Sequence, residues 1–378
     1  MKHLYHIYHI FILEAKNIFT SVSAMLVIFG GSLFYLFLYP TPYYNDTLST
    51  QKIAIIDYDD STLSHKLIKH FRASPHLEIV EILDNPQKAQ EIIESHHAYG
   101  IIIIPHDFEK HLYQQIPPTI SIMANASYLL IYGAIANAAA DVISDFNAHL
   151  RLKLESKGEK HELLEPKLIP LFNPSMGYIN YTLAPVLIFI LHQTLVAGAG
   201  IIGGTQNQQY AQGIRNYYAS ANSLIIVLSK IFVFFCIYVV LFAFYFGFAY
   251  EVYGVHVSAS VLDFWLFSVA FILSTAAFGV FFGSLLPNRS YATQIIMLAS
   301  MPIVFLLGFI WQKTQIAPWA SDVVAFLPAY HGINGLLELN QMGASFSSVS
   351  NHFAYLLLLC VFYTLASAAV ISQKTHHP

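Results

Sequence analysis

Three groups of residues in this 378-residue chain have the types and spacing for chemistry. Asp57, Asp59 and Asp60 cluster after the apolar run KIAII, at the carboxyl end of an expected strand. Sites in α/β sheets form there, and clustered carboxylates suit Mg²⁺ or Ca²⁺. Asp and Ser are equally the residues of a turn that caps a following helix, and that structural role is the favoured one. His96 and His97 are potential metal ligands, but adjacent residues do not face one way on a helix. His192 and Gln193 fall inside the apolar stretch LIFILHQTLVAG. An ionisable residue there could relay protons. With no acidic residue in that stretch to partner it, the favoured reading is a histidine hydrogen-bonded to a neighbouring segment. No G-x-x-x-x-G-K-[ST], H-E-x-x-H or G-x-S-x-G motif occurs, so phosphate cradling, zinc-dependent hydrolysis and esterase-like acyl transfer find no support. Cys236 and Cys360 both lie in apolar segments and form neither a disulfide framework nor a metal site.

The elements that must hold these residues are mostly membrane spans. Charged residues make up 11% of the chain and hydrophobic residues 56%, with a mean hydropathy of +0.54; soluble domains carry about 25% charged residues. The 24 Tyr and 29 Phe fit a lipid-exposed bundle with aromatic belts. Thr20–Tyr39, Tyr181–Gly203, Leu224–Ala249, Leu262–Leu286, Ile295–Trp311 and His352–Ile371 each approach the roughly 20 apolar residues needed to cross hydrocarbon. The expected fold is a polytopic α-helical membrane protein of six transmembrane helices, with a small α/β extracytoplasmic domain inserted after the first span. Residues 1–19 form an amphipathic interfacial helix with Leu4, Ile7, Tyr8, Phe11, Ile12 and Ala15 on one face. Residues 20–39 form the first span and are expected to remain as an uncleaved anchor, because Tyr39-Pro40-Thr41-Pro42 follows rather than a small-residue cleavage site. Residues 40–180 form the inserted domain, 181–372 a five-span bundle and 373–378 a cytoplasmic tail.

Orientation follows from charge. With the N-terminus inside, the cytoplasmic segments hold Lys2, Lys16, Arg215, Lys230, Arg289 and Lys374, and the short outer loops hold Lys313 alone. That bias places both termini in the cytoplasm and the insert outside. The net charge of −4 is unaccompanied by any basic stripe, so nucleic acid is not an expected partner.

Within the insert, strands are expected at 52–56, 77–83, 100–104 and 119–123, and helices at 62–71, 86–97, 105–115 and 129–157. Alternation of this kind implies a small α/β sheet. Between spans, the longest cytoplasmic loop is expected at Thr205–Ser223, against five residues at Pro287–Tyr291.

The full length resembles permease subunits of the type-2 ABC exporter family, in the subgroup with a large extracytoplasmic insert. The resemblance rests on KIAIIDYDDSTLSHKLIKHF, AYGIIIIPHDFEKHL and ISIMANAS, on Phe172-Asn173-Pro174, on Gly308-Phe309 with Pro318-Trp319, and on Leu327-Pro328-Ala329-Tyr330. Gly204-Thr205 is retained after the second span, but Gln206-Asn207-Gln208-Gln209 replaces the family's charged stretch, and Ser229 precedes Lys230 where a Gly is common. The resemblance implies a transport subunit in the inner (plasma) membrane, not an enzyme. A separate cytoplasmic ABC ATPase would bind the ATP and Mg²⁺, and a second permease copy or paralogue would complete a dimer. It also implies export of a drug, lipid or other amphiphile, in places with a periplasmic adaptor and an outer-membrane channel. The ATPase would dock on Thr205, Gln209, Tyr210, Arg215, Tyr217 and Tyr218. The rival reading is a membrane-anchored sensor or scaffold that moves nothing.

Overall fold

A computed structural model describes residues 2–41, 50–83, 88, 92, 97–114, 116–124, 129–155, 182–214, 222–310 and 316–376. Arg215, Tyr217, Tyr218, Phe172-Asn173-Pro174 and most of the helix expected at 86–97 lie outside these residues. The chain divides into two compact units, Met1–Tyr44 with Pro170–Pro378, and Asn45–Ile169.

The first unit is helical. Helix α1, Lys2–Thr20, meets α2, Val22–Leu38, at a 79° bend. Ser21 makes the break, its extended backbone and hydroxyl capping the new helix through the Ala24 N–H. The face of α1 that packs inward is Ile10, Glu14 and Ile18, one residue per turn. Of the apolar face expected from the sequence, Phe11 and Ala15 also pack against this core, Tyr8 and Ile12 are exposed, and the side chains of Leu4 and Ile7 lie outside the described ones.

Among the described residues, five helices are long and apolar enough to cross a membrane: Ala184–Ala211 (α6), Ser223–Tyr253 (α7), Val261–Leu285 (α8), Arg289–Leu306 (α9) and Ser350–Lys374, within helix Ser350–His376 (α12). The bent pair α1–α2 is a sixth candidate. Two shorter helices, Pro318–Val324 (α10) and Pro328–Asn340 (α11), lie between the spans expected at Ile295–Trp311 and His352–Ile371. Pro at the first helical position starts both. α11 is largely buried, and glycine allows it: a β-carbon on Gly332 would stand 2.1 Å from the Phe271 ring and one on Gly335 2.1 Å from that of Phe267. Asn334 fixes α11 by donating to the Leu307 carbonyl at 2.9 Å.

The second unit is an α/β sheet of order β2-β1-β3-β4, with β1 Gln51–Asp57, β2 Leu77–Leu83, β3 Gly100–Ile104 and β4 Ser121–Ala124. β1 runs parallel to β2 and β3, and β4 pairs antiparallel to β3. Helix α3 is Thr62–Ala73, α4 is Phe108–Tyr113 and α5 is Leu129–Glu155. Central β1 is covered on both faces, which explains its continuous apolar run. Ile53 and Ile55 join Leu67, Phe71, Ile135, Val142 and Phe146 in one core, while Ala54 and Ile56 join Leu83 and Ile101 in another.

Candidate functional site

The acidic cluster is structural. Asp57 Oδ1 accepts the Asp59 and Asp60 N–H groups at 3.1 and 3.2 Å, and its Oδ2 accepts the Ser64 hydroxyl at 2.7 Å. Asp59 accepts the Phe108 and Glu109 N–H groups at 2.9 and 3.0 Å, the orphan donors that open α4. Ser61 and Ser64 cap α3 reciprocally. These carboxylates organise a strand–helix turn, as the structural reading requires. His97 is exposed at a chain bend.

His192 lies in α6 and is buried, with the rings of Phe189, Phe271 and Phe278 stacked around it at 6.2–6.4 Å. Neither ring nitrogen has a hydrogen-bond partner among the described residues. The hydrogen bond expected from the sequence is therefore replaced by an aromatic cage. Gln193 beside it is half-buried.

Polar connections inside the helical unit come instead from other residues, several of which the sequence did not single out. One set crosses the middle of the helices. Thr194 hydrogen-bonds the Ile190 carbonyl at 2.9 Å and shares a hydrogen bond with the Ser32 hydroxyl at 3.1 Å, and the Tyr238 hydroxyl donates to it at 3.0 Å. Tyr245 donates to the Ser32 carbonyl at 2.5 Å. Ser32 directly follows a π-helical stretch, Leu26–Gly31, and Tyr245 lies in another, Phe244–Ala249. Such stretches expose backbone carbonyls to new partners.

The second set gathers at the C-terminal end of α6. Here the expected loop from Thr205 is corrected: α6 continues through Ala211, and Thr205, Gln209 and Tyr210 are helical. The segment TQNQQYAQ contains neither Gly nor Pro, so nothing stops the helix before Gly213. Gly213, at φ +76°, ends it with paired bonds from its own N–H to Tyr210 and from the Ile214 N–H to Gln209. At 1.5 Å per residue, 28 residues reach about 42 Å, well beyond a ~30 Å hydrocarbon core.

Three neighbours grip this extension. Gln206 donates to both Glu14 oxygens, at 3.3 and 3.1 Å, and accepts from Lys230 Nζ. Lys230 Nζ also lies 3.6 Å from Glu14. All three residues are at most 5% exposed. Lys230 was counted from the sequence as a charge at the cytoplasmic edge; it is instead buried within α7, its cost of desolvation offset by Glu14. One residue on, Asn207 donates to the Gly283, Ser284 and Leu286 carbonyls at 3.1, 3.2 and 2.7 Å. It thereby reaches carbonyls at the end of α8, of which Gly283 also accepts the Leu286 N–H and Ser284 also accepts Lys374 Nζ. Its own oxygen accepts Lys374 Nζ from α12 at 2.9 Å, and the Tyr210 hydroxyl donates to the Lys374 carbonyl.

Close backbone contact rigidifies the same end. A β-carbon at Gly203 would meet the Gly283 backbone at 2.6 Å, and one at Gly204 the Asn288 carbonyl at 2.5 Å. Small residues permit such approach of helices in membranes. The connection from α8 to α9 is only Leu286–Asn288, shorter than expected, because Asn288 caps α9 through the Ser290 N–H. Against it opens a polar recess of about 580 Å³, lined by Thr205, Gln208, Gln209, Gln212, Arg289 and Gln294 among others.

Residues 18–369 match the family model for ABC-2 family transporter proteins. No curated protein matches the chain.

Proposed function

The chain belongs to the ABC-2 transporter family, and from that premise we propose that it is the permease half of an ATP-driven exporter whose ATPase subunit docks on the extended end of α6. As a permease it requires an ATPase partner, and no phosphate-cradling motif occurs in its own sequence. The observation that carries the docking assignment is the gripped polar end of α6. A push there is shared at once with α1 through Glu14, with α7 through Lys230, with α8 through Asn207 and with α12 through Lys374. A rigid lever joined to four neighbours transmits a partner's closure better than a loose loop. Thr205 and Gln209 line the recess beside Arg289, and the partner contributes the surface that fills it. Arg215, Tyr217 and Tyr218 continue the same segment and are retained as contacts on the resemblance alone.

In this reading six spans cross the inner membrane with both termini in the cytoplasm, and the α/β unit lies outside, where it meets substrate or a periplasmic adaptor. The cargo is an amphiphile such as a drug or lipid. A second copy or paralogue pairs with the chain. Helix α9 supports pairing, since Met297, Leu298 and Met301 are 73, 82 and 65% exposed in a helix that, among the described residues, packs mainly on α6.

The test is reconstitution with the cognate ATPase subunit. A Gln212→Glu/Arg289→Glu variant adds one negative charge and reverses a positive one on exposed recess residues, and leaves the bundle untouched. It is expected to insert normally and to lose both co-purification of the ATPase and stimulation of its hydrolysis. Wild-type co-purification by this variant places docking elsewhere, with α1 the next candidate surface. Transport in vesicles that follows ATP hydrolysis excludes the sensor reading.

A further inference from the structure

We propose that His70, Asp145 and His149 form a binding site for a single transition-metal cation, Zn²⁺ by preference, where α3 meets α5 in the α/β unit. The arrangement begins with helical geometry. Asp145 and His149 stand four residues apart on α5 and so project from one face. His70 comes from the last turn of α3. The two carboxylate oxygens of Asp145 are shared between the histidines: Oδ2 lies 3.4 Å from His70 Nδ1, and Oδ1 lies 3.5 Å from His149 Nδ1. One ligand atom from each of the three residues lies within 4.8 Å of the others. Ligands at about 2.0–2.2 Å from a tetrahedral ion sit a little over 3 Å apart, so a small inward movement of half-exposed side chains closes the site.

The donor set selects the ion. Two imidazoles and one carboxylate match zinc with a fourth position left for water. Calcium and magnesium demand more oxygen ligands than one aspartate provides. The position is fixed by packing beneath it. His70 meets the Phe146 ring edge-on at 5.4 Å and the His149 ring at the same distance. Phe146 belongs to the core that Leu67 and Phe71 of α3 also enter. Access is open, with the Asp145 and His149 side chains 61 and 60% exposed. His149 Nδ1 also reaches the Asp145 carbonyl at 2.9 Å, so the ion competes with that hydrogen bond for one ring nitrogen. The bound ion would join α3 to α5 and hold the long helix on the sheet. Asp57, Asp60 and His65, by contrast, make a poor second site, because Asp57 already accepts three donors.

Two measurements on the full-length, tag-free protein in detergent decide it. In the wild type, Zn²⁺ should protect His70 and His149 from diethylpyrocarbonate, mapped by mass spectrometry, while exposed His65 and His97 stay reactive. In equilibrium dialysis, a His70→Ala/His149→Ala variant with unchanged circular dichroism should bind one tight Zn²⁺ fewer than the wild type. Equal modification of His70 and His149 with and without Zn²⁺, or an unchanged count of tight zinc ions in the double variant, overturns the proposal.

Discussion

Glu14 and Lys230 are the residues on which the helical unit has most to lose. Both are buried, 3.6 Å apart, and both also bond Gln206. A buried pair can be nearly neutral against an apolar replacement, yet removing one partner strands the other charge at a cost of about 3–5 kcal/mol. Lys230→Ala is therefore expected to destabilise the detergent-solubilised chain by about that much. Glu14→Leu/Lys230→Met, which removes both charges, should recover most of the loss. Thermal or denaturant unfolding of the three proteins checks the order; a double variant as unstable as Lys230→Ala would show that the pair is not the cause. Sequence reading could not find this contact. Lys230 stands near the start of an apolar stretch and Glu14 in a helix with other polar residues, so each alone looked like an edge charge.

At the scale of elements, what could be read from the sequence was what repeats. The four strands of the insert appeared as apolar runs because β1 and β3 are covered on both sides or paired into the core. The span helices appeared from length and hydropathy. The antiparallel pairing of β4, the extension of α6 and the buried α11 were not readable, for separate reasons. Strand direction has no hydropathy signature. The end of α6 is polar, and polarity between spans looks like a loop. α11 contains Gly332 and Gly335, which lower helix propensity by about 1 kcal/mol each but are required by the rings of Phe271 and Phe267 against them. That requirement is testable. Gly335→Ala pushes a β-carbon into Phe267, itself fully buried, and overpacking of this kind costs about 1–3 kcal/mol despite the better propensity of Ala. Adding Phe267→Leu should restore part of the lost thermal stability; a Gly335→Ala variant as stable as the wild type would mean that α11 has room to shift. Of the residues proposed for docking, Thr205, Gln209 and Tyr210 were reached from the segment's position and the family resemblance, whereas the partners of Gln206 and Asn207, which do the gripping, lie distant in sequence.

At the scale of the whole molecule, orientation rests on charge, and the structure sharpens the count. Lys230 is paired with Glu14 inside the helices, so it should not steer insertion. Without it, Lys2, Lys16, Arg215, Arg289 and Lys374 still stand against Lys313 alone on the opposite side. That ratio retains a strong inward bias. An inward N-terminus puts the residue 45–169 unit outside and the end of α6 inside, where an ATPase can reach it. The two placements must hold together: one crossing, α6 itself, separates the α/β unit from the end of α6, and an odd number of crossings, one and five, separates the unit from the N- and C-termini. In a Cys236→Ala/Cys360→Ala background, a membrane-impermeant maleimide applied to intact cells is expected to label a cysteine at Lys110, which is well exposed on α4. It should reach a cysteine at the exposed Gln212 only after the cells are opened. Labelling of Gln212→Cys in intact cells would put the end of α6 on the wrong side for any cytoplasmic partner, and the docking assignment would fall with it.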